Sequence, residues 1–118
     1  MTWEIKISKE ARKDYQQFDK GTLKQIFAGI IKVSQNPLPH PDGYGKPLGN
    51  KQGNNLMGFF KIKYKGIGIR VIYTLVIEKH VMNILVISER KDEFCYTLAA
   101  KMYAKYGMDV FQDVFDKL

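Results

Sequence analysis

The chain has 118 residues and a mass of 13.7 kDa, with 45% hydrophobic and 26% charged residues, a balance that excludes disorder and matches a single domain. Lys plus Arg number 19 against 12 Asp plus Glu, giving +7 and a pI near 9.5, and no apolar run approaches the roughly 20 residues of a membrane span. The single cysteine, Cys95, excludes an intrachain disulfide framework and a cysteine-based zinc site, and with only His40 and His80 beside it no metal centre is expected.

The opening MTWEIKISKE alternates apolar and polar residues and carries acid, which argues against a secretory leader. Trp3, Ile5 and Ile7 form one face of a first strand. Ser8 is placed to cap a helix bearing Ala11, Tyr15 and Phe18 on one face, and Gly21 is expected to break it. Thr22 then starts a second helix, with Leu23, Ile26, Phe27, Ile30 and Ile31 at helical spacing, stopped by Asn36-Pro37. The short break predicts an antiparallel helical hairpin. All four prolines (37, 39, 41, 47) and glycines 43, 45, 49 and 53 fall in residues 36 to 56, which reads as a long loop pinned by Leu48 and Leu56.

Three strands follow. Residues 58 to 64 alternate, Lys65-Gly66 is a two-residue turn signal, residues 67 to 76 are rich in Ile and Val, and residues 81 to 88 follow the Glu78-Lys79-His80 turn. Asp92 or Ser88 opens a last helix through Leu98, Met102 and Tyr106, ended by Gly107. A helical tail at 108–118 carries Val110, Phe111, Val114, Phe115 and Leu118, a stripe expected to pack on the protein itself rather than form an interface. The predicted class is α+β: one domain over 1–118, in the order β-α-α-β-β-β-α. An antiparallel sheet packs against the N-terminal helical hairpin, with helices on one face and the other open.

The charge is clustered. Between Asp42 and Glu78 there is no acidic residue, while Lys46, Lys51, Lys61, Lys63, Lys65 and Arg70 all lie there. Such a field attracts polyanions, nucleic acid first, though it also serves as a solvated, solubilising face. No segment reads as a basic amphipathic helix for a membrane surface. A two-residue turn at Lys65-Gly66 pairs Tyr64 with Ile67, Lys63 with Gly68, Ile62 with Ile69 and Lys61 with Arg70. Lys61, Lys63 and Arg70 then share one face. Like charges placed opposite one another cost stability, which suggests a polyanion between them; the alternative is a basic hairpin that deters edge pairing. Arg90, just past the last strand, and Tyr96, six residues on in the helix, can reach the same surface. Arg forks onto phosphate, and Tyr either stacks on a base or is a core aromatic with its hydroxyl at the rim.

These residues resemble the RelE/ParE superfamily of bacterial type II toxins, most closely its RelE-like ribosome-dependent mRNA interferases. The resemblance spans roughly residues 3 to 104 and rests on FFKIKYKGIGIRVIYTLV (59–76) and SERKDEFCY (88–96), in the expected order of elements. It implies a cytoplasmic endoribonuclease that inhibits translation by cutting mRNA in the ribosomal A site. A ribose 2′-hydroxyl would attack the adjacent phosphate without metal or small-molecule cofactor. The implied partners are a cognate antitoxin, the ribosome and mRNA, with no membrane. The resemblance carries catalytic roles to Lys63, Arg70, Arg90 and Tyr96, and an RNA-binding role to Lys61; Lys46, Lys51 and Lys65 extend the RNA-binding surface. Lys63 is the candidate base, its ammonium made more acidic by Lys61 and Arg70. Glu89 is the alternative base, its other reading being an exposed ion pair; His80 reads as a surface residue. The alternative function is that of the ParE branch, a DNA gyrase inhibitor that binds without cutting RNA.

Overall fold

The computed structural model describes residues 2–51, 53–89 and 94–118, without the side chains of Asn50, Lys51 and Asn54. The elements are β1 (Glu4–Ile7), α1 (Lys9–Tyr15), α2 (Lys20–Ser34), β2 (Lys46–Lys51), β3 (Asn54–Tyr64), β4 (Ile69–Val76), β5 (Val81–Glu89), α3 (Phe94–Tyr106) and β6 (Asp116–Lys117). They build one six-stranded sheet in the order β2-β3-β4-β5-β1-β6. The class is α+β, as expected. The sheet is mixed rather than antiparallel, because β1 runs parallel to β5, Glu4 facing Val81 and Ile7 facing Ile84. All of α1, α2 and the β2–β4 meander separates these two strands in sequence, and parallel neighbours need such a crossover.

Ser8 caps α1 by accepting from the Ala11 N–H at 3.0 Å, and its hydroxyl donates to the Leu85 carbonyl, also at 3.0 Å. The helix break is set by Asp19 rather than Gly21. Asp19 caps α2 through the Thr22 N–H and hydroxyl, which leaves Gly21 inside the first helical turn. Tyr15 meets Phe27 edge-on at 5.3 Å, joining the two helices.

The loop expected at 36–56 ends at Gly45, since β2 begins at Lys46 and pairs antiparallel with β3. Pro47 is tolerated there because β2 is an edge strand, and the register shifts between Pro47 and Gly49. Leu48 and Leu56 are both buried. The β3–β4 turn is also longer than the sequence suggested. Gly68 adopts φ +64° and donates to the Tyr64 carbonyl at 3.0 Å, so Lys65 to Gly68 all lie in the turn. Lys63 therefore faces Arg70 rather than Gly68, and Lys61 faces Ile72. The slip is two residues, so every side chain keeps its face.

Every residue of β4 is buried, and β5 is buried from Val81 to Ser88. Near-continuous apolar strands need cover on both faces. On one face α1 and α2 pack over Ile62, Val71, Tyr73, Ile84 and Ile87. On the other, α3 packs over Phe59, Ile72, Leu85 and Val86. This corrects the expectation of helices on one face only. β5 carries a bulge: Ile72 pairs with Val86 and Tyr73 with Ile84, leaving Leu85 extra.

Gly107, at φ +57°, ends α3 as expected. The tail is not a helix beyond that point. A 3-10 turn covers Gly107–Phe111, and β6 then pairs with β1. Val110 is buried and Phe111 and Phe115 pack on the α3-side core, while Val114 and Leu118 stay exposed. The reason is polar. The Val110 carbonyl accepts from both the Thr74 hydroxyl and the Asn83 amide, and Asn83 also donates to Gln112 O at 3.0 Å. These buried groups find partners only if the backbone at 110–112 leaves the helical path. We expect Thr74→Val to cost about 1 kcal/mol and Asn83→Ala about 2–3 kcal/mol in urea unfolding, with the double variant below the sum because both act on one carbonyl. Strict additivity would show that they anchor the tail independently.

Candidate active site

Strand alternation places Ile62 and Tyr64 on the α1/α2 face, where the Tyr64 hydroxyl donates to the Ile26 carbonyl at 2.6 Å. Lys61 and Lys63 must then point to the α3 face. Two transverse rows cross the sheet on that side. One runs Lys46, Lys61, Ile72, Val86, and the next runs Lys63, Arg70, Ser88. The first row ends under α3. The second holds polar and charged groups only, at the end of the sheet towards the β3–β4 turn.

The Lys61 ammonium donates to the Tyr96 hydroxyl at 3.0 Å and lies 5.5 Å from the centre of its ring. Tyr96 itself is 5% exposed and belongs to the α3-side core. Of the two roles the sequence left open, the structure shows a core aromatic with a working hydroxyl. The ring has no open face on which a base could stack, and what Tyr96 does is hold Lys61. Lys63 is exposed, and its pKa is lowered chiefly by the charge of Lys61, then by Arg70, desolvation and Lys46. Arg70 is 8% exposed, and its Nε is buried without a hydrogen-bond partner. A small cleft beside the turn is lined by Lys63, Tyr64, Lys65, Ile69 and Arg70.

The structure thus brings together Lys46, Lys61, Lys63, Lys65, Arg70 and Tyr96. Arg90 lies outside the described residues, as does Asp92, one of the two residues offered as the cap of the last helix. Ser88, the other, is a buried residue of β5. Lys51 is five residues from Lys46 along β2, roughly 15 Å at strand rise, and pairs with Asn54 at the far end of the hairpin. It is not part of the cluster. Glu89 pairs with Ile69 and so faces away from the Lys63–Arg70–Ser88 row. With Ser88 it lines a cleft that also holds Asp14, Gln17, Phe18 and Phe94, whereas Lys63 lines another, so it does not stand beside Lys63 as an alternative base. His80 stacks on Trp3 at 4.7 Å at the opposite end of the sheet and is exposed, as read from the sequence. Sequence reasoning missed Ser88 as a neighbour of Arg70, because the bulge that brings it there has no signal in the alternation. Among the described residues, no group of three or more His, Cys, Asp or Glu is placed to hold a metal ion. Among them, no helix is long and apolar enough to cross a membrane.

No family profile matches the chain. A curated Escherichia coli protein described as RelE-like toxin is 22% identical over 101 residues, covering 86% of this chain and 97% of that one. The isolated E. coli RelE toxin superposes with a TM-score of 0.62 at 19% identity, covering 84% of this chain and 96% of that one. The toxin–antitoxin complex RelBE of Mycobacterium tuberculosis gives 0.62 at 22% identity over 78% of this chain and 95% of that one. A RelE–RelB complex of Pyrococcus horikoshii gives 0.56 at 21% identity, covering 78% and 99%. The chain has the fold of the RelE toxins, and its sequence is similar to that of a RelE-like toxin.

Proposed function

We propose that this chain is the toxin of a type II toxin–antitoxin system, a cytoplasmic endoribonuclease that cuts mRNA in the ribosomal A site, held in check by a cognate antitoxin. The observation that carries this reading is the Lys63–Arg70 pair, set opposite each other with Lys61 fixed alongside by Tyr96. The complexes of related folds with RelB antitoxins support the partner.

The reaction needs a base for the ribose 2′-hydroxyl and donors for the charge that grows on phosphorus. Lys63 supplies the base in its neutral form. Its amine takes the 2′-proton, the 2′-oxygen bonds to phosphorus, and the phosphorus–5′-oxygen bond breaks. The departing 5′-oxygen takes a proton from solvent, so the products are a 2′,3′-cyclic phosphate and a 5′-hydroxyl. Arg70 and Lys61 face the phosphate and stabilise the pentacovalent state. The resemblance gives Arg90 a phosphate contact and help to the departing 5′-oxygen. An exposed lysine base is scarce at neutral pH even when its pKa is lowered, so catalysis leans on positioning, which the ribosome provides.

The test is cleavage of mRNA in a purified translation system, with and without ribosomes. Wild type should cut only with ribosomes, and Arg70→Ala should cut about 100-fold more slowly, as when one oxyanion donor is lost, with an unchanged circular-dichroism spectrum. Growth arrest without any mRNA cuts would move the reading to gyrase inhibition. In cells, Arg90→Ala should abolish growth arrest; arrest at the wild-type level would remove Arg90 from the site.

The pH dependence follows from Lys63. Cleavage rises with pH as its ammonium deprotonates. Lys61 is the largest charge lowering its pKa, so Lys61→Met should raise that pKa and move the ascending limb of the single-turnover profile to higher pH. An unmoved limb in Lys61→Met, with slower cleavage, would show that another group is the base.

A further inference from the structure

Among the buried polar atoms without a hydrogen-bond partner, Arg70 Nε and Ser88 Oγ lie on the α3 face towards the β3–β4 turn. They belong to residues paired directly across β4 and β5. Directly opposite side chains on one face stand about 5 Å apart at Cβ. Arg70 is 8% exposed and Ser88 6% exposed. A buried donor left unmade is costly, and most such groups in native proteins have partners, so each calls for an explanation. The guanidinium carries only donors, and Arg70 makes no ion pair among the described residues.

The bulge explains how the two came together. Ile84 packs on the α1/α2 face, and an unbroken alternation would send Ser88 there too. The extra residue, Leu85, reverses the phase, so Val86 joins the α3-side core and Ser88 lines up with Arg70 and Lys63. Bulges next to active sites commonly re-aim a side chain in this way. We infer that Arg70 and Ser88 form a cradle for one oxygen of a phosphate group, with Ser88 a substrate-binding residue that neither sequence motif assigns. One acceptor oxygen between them would take the Nε–H and the Oγ–H together. Arg70 lines a cleft with Lys63 and Lys65, and Ser88 lines a second one with Glu89 and Phe94; the phosphate would enter by the first, which carries the positive charge. Lys63, directly across from Arg70, then stands where it can reach the 2′-oxygen joined to that phosphorus. The identity of the phosphate as the scissile one rests on the nuclease reading; the existence of the cradle does not.

The experiment titrates the full chain, isotopically labelled, with inorganic phosphate while the Arg70 Nε–H resonance is followed by NMR. In wild type the signal should move saturably. Ser88→Ala should weaken binding about tenfold, the size of one hydrogen bond to a charged group, and Ser88→Thr, which keeps the hydroxyl, should recover most of it. An Arg70 signal that does not respond in wild type overturns the cradle, and so does equal affinity in Ser88→Ala. The same variants are assayed for ribosome-dependent cleavage, where Ser88→Ala should be about tenfold slower with its pH profile unmoved. Phosphate binding that depends on Ser88, in a protein that cuts no RNA, supports the cradle and overturns the nuclease reading. Cleavage at the wild-type rate by Ser88→Ala supports that reading and overturns the role given to Ser88.

Discussion

The constraint behind the rest of this structure is that β4 is buried along its whole length, between α1 and α2 on one side and α3 on the other. A strand covered on both faces has no solvent side on which to place charge. Arg70, the one cationic residue of β4, is the second residue of the strand, next to the β3–β4 turn. Its neighbours are selected by register: Lys63 across one ladder, Ser88 across the other. The site is a transverse line through three strands at the rim of the cover. Strand positions hold side chains more tightly than loop positions, which suits chemistry in which the attacking oxygen, phosphorus and leaving oxygen must align.

Like charges packed at neighbouring positions work against folding, and this cluster is basic throughout. What the arrangement gains is a lowered Lys63 pKa and a field that draws in polyanions. Lys61 is central to both effects. Its distance from Lys63 is governed by the hydrogen bond to Tyr96, and Tyr96 is held by the α3-side core. The residue that tunes the candidate base is thus fixed by a hydrogen bond to a tyrosine of the apolar core.

Much of this was legible in the sequence because it depends on period-two alternation. The alternation of Phe60, Ile62 and Tyr64 against Lys61 and Lys63 gives the faces whatever the turn length, so a slip of two residues at Lys65 to Gly68 changed the partners without moving a side chain across the sheet. The parallel pairing of β1 with β5 was not legible, since nothing local in Glu4–Ile7 records which strand it will join. β2 was hidden by its proline and glycine, which mark loops in general and are tolerated here at an edge. The tail read as helical because Val110, Phe111, Val114 and Phe115 have helical spacing; Thr74 and Asn83, more than 25 residues away, decide otherwise.

The bulge at Leu85 makes the same point for the site. In sequence, ILVIS reads as a plain buried strand, and neither face of a fully covered strand is marked by polarity. Its phase is decided by which residues fit the two cores, Ile84 with Tyr73 on one side and Val86 with Ile72 on the other. Satisfying both cores requires the extra residue between them. The small polar side chain of Ser88 is brought beside Arg70 as a consequence of that fit. A larger apolar residue at 88 would fill the space next to the guanidinium and close one side of it. Packing around a single inserted residue therefore determines whether the arginine at the centre of the site faces a wall or a second donor.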